Sequence, residues 1–288
     1  MDIELKRIYL DIVKGGAGKG KRNICSIRNK EECMDPDNVN ELKNILSVEH
    51  FKQIKSKTLS EKAKLEILET YYPDNKTVNR LVSQYFLPKG PLKNAWLSNQ
   101  DIDRVNKNVF EQTYKDKYKY LGTQFCIDIN KKFIFEKRRR KKGKHIQSCP
   151  FFGLVFNTAR CDASGEHWVS LFVDTTTYPY SYFYYDSVGT DASLDMKNVV
   201  LKNINTGLLL AARKESKEDE INLTTNFIQH QSGNSECGVY SLYFIESMLK
   251  GIIEGEKTSA VVFKEFINSR TDKTDELIQQ KRITFFRH

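Results

Sequence analysis

The spacing of hydrophobic positions along the chain changes near Pro88-Lys89-Gly90-Pro91. Upstream it is helical. Ser60 is placed to cap a helix running from Glu61 to Leu68. Val78, Leu81, Val82 and Tyr85 fall at i, i+3, i+4 and i+7, one face of a further helix that Pro88 ends. Residues 38–50 predict an earlier helix. Downstream the pattern turns to strands. Phe151 to Phe156 reads as a buried strand, and Trp168 to Asp174 alternates, with Val169, Leu171 and Val173 on one face. Ser181 to Asp186 is an aromatic strand, after which Ser187-Val188-Gly189 turns the chain. Residues 191–214 predict a helix and 223–228 a short strand. Cys237 to Lys250 is apolar on nearly all sides, which predicts a buried central helix. Helices at 258–270 and 273–282 and a last strand at Ile283 to Phe286 complete the pattern. Strands between helices make the fold class α+β. The expected division is a flexible basic segment at 1–37, a helical unit at 38–90 and a larger domain at 91–288.

Composition narrows the class. The 288 residues include 17 Phe, 14 Tyr and 2 Trp, which excludes disorder over most of the length. No stretch approaches the roughly 18 apolar residues that a membrane-spanning helix needs, so no membrane partner is expected. The first residues carry acids where a secretory signal carries bases, which predicts an intracellular protein. The 6 Cys lie scattered without a CxxC pair, so the reading is reduced thiols, with no metal and no cofactor. A net charge of +9 suits a polyanionic partner. The basic density peaks at 136–145. There Arg138, Arg139, Arg140, Lys141 and Lys142 form either a solvated loop, a contact for DNA or nucleoprotein, or a nuclear-import signal. Gly15 to Arg22 nearly matches a phosphate-binding loop, but Arg22 stands where a hydroxyl is required, and a Gly-rich linker is the reading that fits.

Three polar residues stand at element ends. His167 precedes the strand WVSLFVD, Asp186 ends the next strand, and Cys237 opens the buried helix. Thiol proteolysis needs these three types: a thiolate that attacks a carbonyl, an imidazole that moves the proton, and a carboxylate that orients the imidazole. A helix N-terminus offers partial positive charge and free amides, which favour a thiolate. Gly238 follows Cys237 and suggests room for a substrate backbone. Taken singly, each has a plainer explanation: a buried Cys is usually a small hydrophobe, and an Asp before Ser-Val-Gly a turn residue.

Their neighbours carry a resemblance. Gly165-Glu166-His167-Trp168-Val169, then Tyr184-Tyr185-Asp186-Ser187, then Gln231 to Cys237-Gly238 resemble the adenovirus-protease and SUMO-specific protease superfamily of cysteine peptidases. Within it, the His230-Gln231 to Cys237-Gly238 segment is similar to the polyprotein-processing proteases of African swine fever virus and related large DNA viruses. Trp96-Leu97 to Ile102 looks like the element that opens the catalytic domain in the SUMO proteases. The resemblance implies a papain-like core in the permuted order His, Asp, Cys, with a central mixed sheet flanked by helices and an all-helical N-terminal extension. It implies a catalytic triad of His167, Asp186 and Cys237. It also implies an oxyanion hole from the Gln231 amide and the Cys237 N–H, with Asn234 the rival donor. Trp168 and Trp96, with Gly238, would line a narrow substrate groove. By the resemblance, the position of Asp186 takes Asp in the SUMO proteases and Asn in the African swine fever virus branch.

The function implied is a viral cysteine endopeptidase cutting structural polyproteins after small residues, of Gly-Gly-x type, in host cytoplasm and virion. A SUMO- or ubiquitin-like-protein isopeptidase with the same triad is the alternative. An acetyltransferase and a basic nucleic-acid- or capsid-associated protein with an inactive protease fold are the others. Gly15-Gly16-Ala17 presents a small-small-x pattern at which such an enzyme would trim itself after Gly16.

Overall fold

The computed structural model describes residues 34, 36–91, 94–124, 149–159, 165–212, 221–269 and 273–287. Four helices come first: α1 (Pro36–Glu41), α2 (Val48–Lys55), α3 (Glu61–Tyr71) and α4 (Lys76–Tyr85). The helix expected over 38–50 is broken in two. Ser47 accepts a hydrogen bond from the His50 N–H and so caps a new helix where a continuous one was predicted. Ser60 and Asn75 cap α3 and α4 in the same way. Leu42, Ile54, Leu65, Leu68, Val78 and Leu81 close these helices around a core of their own.

Beyond Pro91 lies a five-stranded mixed sheet in the order β1 (Tyr118–Gln124), β2 (Phe151–Asn157), β3 (Trp168–Asp174), β4 (Ser181–Tyr185) and β5 (Asn222–Thr225). The two inner pairings, β2 with β3 and β3 with β4, are antiparallel, and both outer pairings are parallel. Both faces are covered, and the period-2 alternation sorts the side chains between them. Phe152, Leu154, Phe156, Val169, Leu171, Val173, Tyr182 and Tyr184 point to one face. There they meet Met196, Val200 and Leu208 of a long helical segment: α6 (Leu194–Asn198), a π-helical stretch over Val199–Asn205, then α7 (Thr206–Ala212). Phe151, Val155, Trp168, Phe172, Phe183 and Tyr185 point to the other face.

That second face holds the central helix, α8 (Cys237–Leu249). Its Val239, Tyr240, Leu242, Phe244, Ile245, Met248 and Leu249 are all buried, as an apolar surface on all sides requires. Around it pack α9 (Ser259–Asn268), α10 (Asp275–Phe285) and α5 (Asn99–Val105), the last continued by a π-helical turn over Asn106–Phe110. Ser98 and Asp101 form a reciprocal capping box at the start of that last helix.

The strand expected at Ile283 to Phe286 is not formed; residues 283–285 finish α10. Ile278, Arg282 and Phe285, at i, i+4 and i+7, are all buried, so burial on one helix face outweighs the β-propensity of an Ile-Thr-Phe-Phe run. The chain then extends, and Arg287 bridges Lys89. The Arg287 guanidinium donates to the Leu87 carbonyl at 2.7 Å and pairs with Glu69, joining the C-terminal residues to the helical region. Strand β1 had no counterpart in the sequence pattern. Only Tyr118, Tyr120 and Gln124 of its seven residues are buried, too few for an apolar run.

Candidate active site

The sheet register brings the first two polar residues together. Ser170 of β3 stands opposite Tyr185 of β4, so the residue before β3 and the residue after β4 emerge at the same end of the sheet. They are His167 and Asp186. His167 Nε2 lies 2.7 Å from Asp186 Oδ1 and donates to it. Helix α8 crosses β3 with its N-terminus at this end, and Ser241, one turn in, donates to the Trp168 carbonyl at 3.4 Å. Cys237, the first residue of α8, therefore stands beside the imidazole, where it favours the charged ring. With Nε2 committed to Asp186, Nδ1 is the ring nitrogen left for the thiol.

Three opposing influences act on His167. Burial, the strongest, works against its charge; the hydrogen bond to Asp186 and the neighbouring Cys237 work for it, helped by the charges of both partners. The balance pushes the imidazole up to about 9 from an ordinary 6.5. The folded protein thus holds a proton that the unfolded chain releases above pH 6.5. The resulting stabilisation is complete below that pH and is lost as pH rises through about 9. Denaturant midpoints measured from pH 6 to 9.5 are expected to fall across that window. His167→Asn is expected to flatten the fall, and an unchanged slope in that variant would refute the assignment.

Asp186 is fixed from several sides. The same Oδ1 accepts the Val188 N–H at 2.9 Å. The fully buried Asn226 side chain accepts from the Asp186 N–H at 2.8 Å and donates to its carbonyl at 2.9 Å. The turn that follows needs Gly189, whose φ is +76° and where a Cβ would meet the Gln229 backbone at 2.8 Å.

The segment before Cys237 is anchored to this turn. The His230 and Gln231 N–H groups both donate to the Ser187 carbonyl at 2.8 Å. Gln231 is 2% exposed. Its Oε1 accepts from the Ser187 hydroxyl at 2.6 Å, which orients the amide, and its Nε2 donates to the Gly233 carbonyl at 2.9 Å. A primary amide has two hydrogens, and Gly233 takes one of them. Asn234 is exposed, whereas Gln231 is held inside.

Trp168 is 7% exposed and its Nε1 donates to the Leu97 carbonyl at 2.9 Å. Trp96, next in the chain, is 49% exposed. The space beside Gly238 is already filled. A Cβ there would lie 3.0 Å from the Leu97 Cβ, so this glycine makes room for Leu97 where a substrate backbone was expected. The basic residues Arg138, Arg139, Arg140, Lys141 and Lys142, and Gly15 to Ala17, lie outside the described residues. No group of His, Cys, Asp or Glu side chains arranged to hold a metal ion occurs among the described residues, and no helix among them is long and apolar enough to cross a membrane. Ser187 was marked only as a turn residue, and Asn226, Glu236 and the α10 side chains behind the 231–236 segment had no role assigned from the sequence. Their partners stand far away in the chain, 40 residues for Asn226 and Asp186.

Comparison with known proteins gives the family and the fold. A SUMO-1 cysteine protease of African swine fever virus is 30% identical over 169 residues, covering 56% of this chain and 53% of the viral protein. A protein of Acanthamoeba polyphaga mimivirus, named as a thiol protease, is 28% identical over 169 residues, covering 58% of this chain and 52% of its own. The chain thus matches about half the length of these curated relatives. The crystal structure of the African swine fever virus protease superposes over 92% of this chain and 96% of its own, with a TM-score of 0.60 at 22% identity, a likeness of fold. Residues 95–282 match the Ulp1 protease family, C-terminal catalytic domain, and the chain belongs to that family.

Proposed function

We propose that this chain is a cysteine endopeptidase that processes viral structural polyproteins after small residues, at Gly-Gly-x type sites. One observation carries the reading: His167 is hydrogen-bonded to the Asp186 carboxylate and stands beside Cys237, which opens a buried helix. In that arrangement the Cys237 Sγ attacks the scissile carbonyl as a thiolate. The imidazolium of His167 gives its proton from Nδ1 to the leaving amine, and a thioester remains. Water then attacks the thioester with His167 as base, which releases the acid and restores the thiol. Asp186 keeps Nε2–H occupied, so the ring turns Nδ1 toward the sulfur throughout. The Gln231 amide and the Cys237 N–H are the donors for the oxyanion of each tetrahedral intermediate.

Trp168, tied to Leu97 beside the catalytic histidine, and the exposed Trp96 support a narrow, aromatic-lined approach that admits small side chains. The reaction belongs to virus assembly sites in the host cytoplasm and to the virion. The Arg138–Lys142 run supplies a contact for DNA or nucleoprotein. The name of one relative, a SUMO-1 cysteine protease, favours a second reading: an isopeptidase that releases a ubiquitin-like protein with the same triad.

The test is digestion of a Gly-Gly-x peptide library alongside a SUMO-conjugated substrate, with products read by mass spectrometry. Cleavage of the free peptides after the second Gly supports the endopeptidase. Cleavage of the conjugate alone transfers the function to the isopeptidase. Failure to cut either, together with failure of a thiol-reactive probe to label Cys237, would leave an inactive protease fold.

A further inference from the structure

Helix α10 places Asp275, Gln279 and Arg282 at i, i+4 and i+7, one stripe along its side. The stripe faces the loop that leads into Cys237, and each of its residues reaches a different part of that loop or its surroundings. Asp275 Oδ2 accepts the Ser232 and Gly233 N–H groups at 3.0 and 2.6 Å, while Oδ1 accepts the Tyr240 hydroxyl of α8 at 3.0 Å. Gly233 in turn receives the Gln231 amide through its carbonyl. One turn along, Gln279 Nε2 donates to Glu236 Oε1 at 2.7 Å. Glu236 is the residue directly before Cys237, and its own carbonyl accepts the Tyr240 N–H at 2.9 Å. Arg282 donates from Nε to Gln279 Oε1 at 3.0 Å and from Nη2 to the Ala95 carbonyl at 2.8 Å.

The two halves of this clamp meet at Gly233. A Cβ there would lie 2.7 Å from Glu236 Oε2 and 3.2 Å from Asp275 Oδ2, so the inner side of the loop packs against both carboxylates. Glu236 is 6% exposed. Burial works against its charge, but hydrogen bonds from Ser235 and Gln279 hold its carboxyl below the usual range. Ser235 donates to it locally through its hydroxyl at 2.5 Å and its N–H at 3.0 Å, and Gln279 ties the same carboxylate to α10.

We propose that Asp275 and Gln279 are positioning residues for the oxyanion hole. From one face of α10, Asp275 fixes the loop that carries the Gln231 amide, and Gln279 fixes the residue that precedes the Cys237 N–H. The helix thereby sets the separation between the two donors. Neither residue touches substrate. The proposal rests on the assignment of Gln231 and the Cys237 amide as oxyanion donors. Its consequence is selective. A reaction that builds negative charge on a substrate oxygen depends on the clamp, whereas direct alkylation of the sulfur builds none.

The experiment compares Asp275→Asn, Gln279→Leu and Gln231→Ala with the wild type in three measurements: steady-state peptide hydrolysis, inhibition by a peptide aldehyde, and the rate of Cys237 alkylation by iodoacetamide. Asp275→Asn and Gln279→Leu are each expected to lower kcat about 10- to 100-fold, with KM within about twofold. Aldehyde affinity is expected to weaken by a similar factor and the alkylation rate to stay within about threefold. Alkylation falling in step with hydrolysis would mean that the nucleophile itself is disturbed, and would overturn the proposal. So would unchanged kcat in both variants. If one variant does not fold, as judged by its thermal transition, the other carries the same test. Gln231→Ala separates the two levels. If it lowers kcat while Asp275→Asn and Gln279→Leu do not, the positioning proposal alone fails. If it leaves kcat and aldehyde binding intact, the oxyanion assignment fails, and the proposal with it.

Discussion

Cys237→Ala is expected to abolish peptide hydrolysis, with a loss of roughly ten-thousand-fold or more, while the cooperative thermal transition remains. No other described group stands where it could form the thioester. The other described cysteine, Cys149, sits in the segment leading into β2 and is packed with the core on the sheet face away from α8. The substitution removes one sulfur from a 3%-exposed site at a helix start, where alanine suits the backbone. His167→Ala is expected to be nearly as severe, because the proton then has no carrier. Asp186→Asn is expected to be milder. Its Oδ1 can still accept from the imidazole, and Asn226 and the Val188 N–H still hold the turn in place. What is lost is the negative charge that raises His167. Steady-state kinetics on a Gly-Gly-x peptide, with mass spectrometry of the alkylated protein, checks all three. Full activity in Cys237→Ser, or inactivation by alkylation on Cys149 with Cys237 untouched, would sink the assignment.

The second large effect is expected at Gln231. Truncation to alanine removes a neutral donor aimed at developing charge in a site with little water, and such a donor is worth about 3 kcal/mol, or 10²- to 10³-fold in kcat. The ground-state carbonyl carries less charge than the oxyanion, so KM should hardly move. Ser187→Ala is expected to cost less, about tenfold, because it removes only the hydroxyl that orients the amide and leaves the Gly233 contact. Asn234→Ala is expected to behave as wild type, since that side chain is exposed. A large kcat loss at Asn234 with Gln231→Ala near normal would reverse the choice of donor.

Much of this was legible in the linear pattern because it is encoded locally. Alternation placed β2, β3 and β4, since successive strand side chains must face opposite ways and both faces of this sheet are covered. An apolar surface on all sides marked α8 as the central helix, and the ends of these elements marked His167, Asp186 and Cys237. The capping signal at Ser60 was equally local. Where one local signal interrupted another, the pattern misled: Ser47 splits the first predicted helix with a single hydrogen bond.

Other features were decided only when the chain closed on itself. The last residues of α10 look like a strand until Ile278, Arg282 and Phe285 are seen buried along one helix face, with Phe285 set edge-on against Phe110. Strand β1 forms because β2 offers it a parallel partner, which no local run of seven residues can announce. Gly238 looked like space for a substrate until Leu97 filled it. The support of the site is also non-local: Asn226 on Asp186, Ser187 on Gln231, and the α10 stripe on the loop before Cys237 join residues some 40 positions apart. The chemical types and the elements that present them are written locally, because propensity and periodicity act within a few residues. Their distances and the raised affinity of His167 for its proton arise through packing, because hydrogen bonds and burial between distant segments exist only once the sheet and α8 have come together.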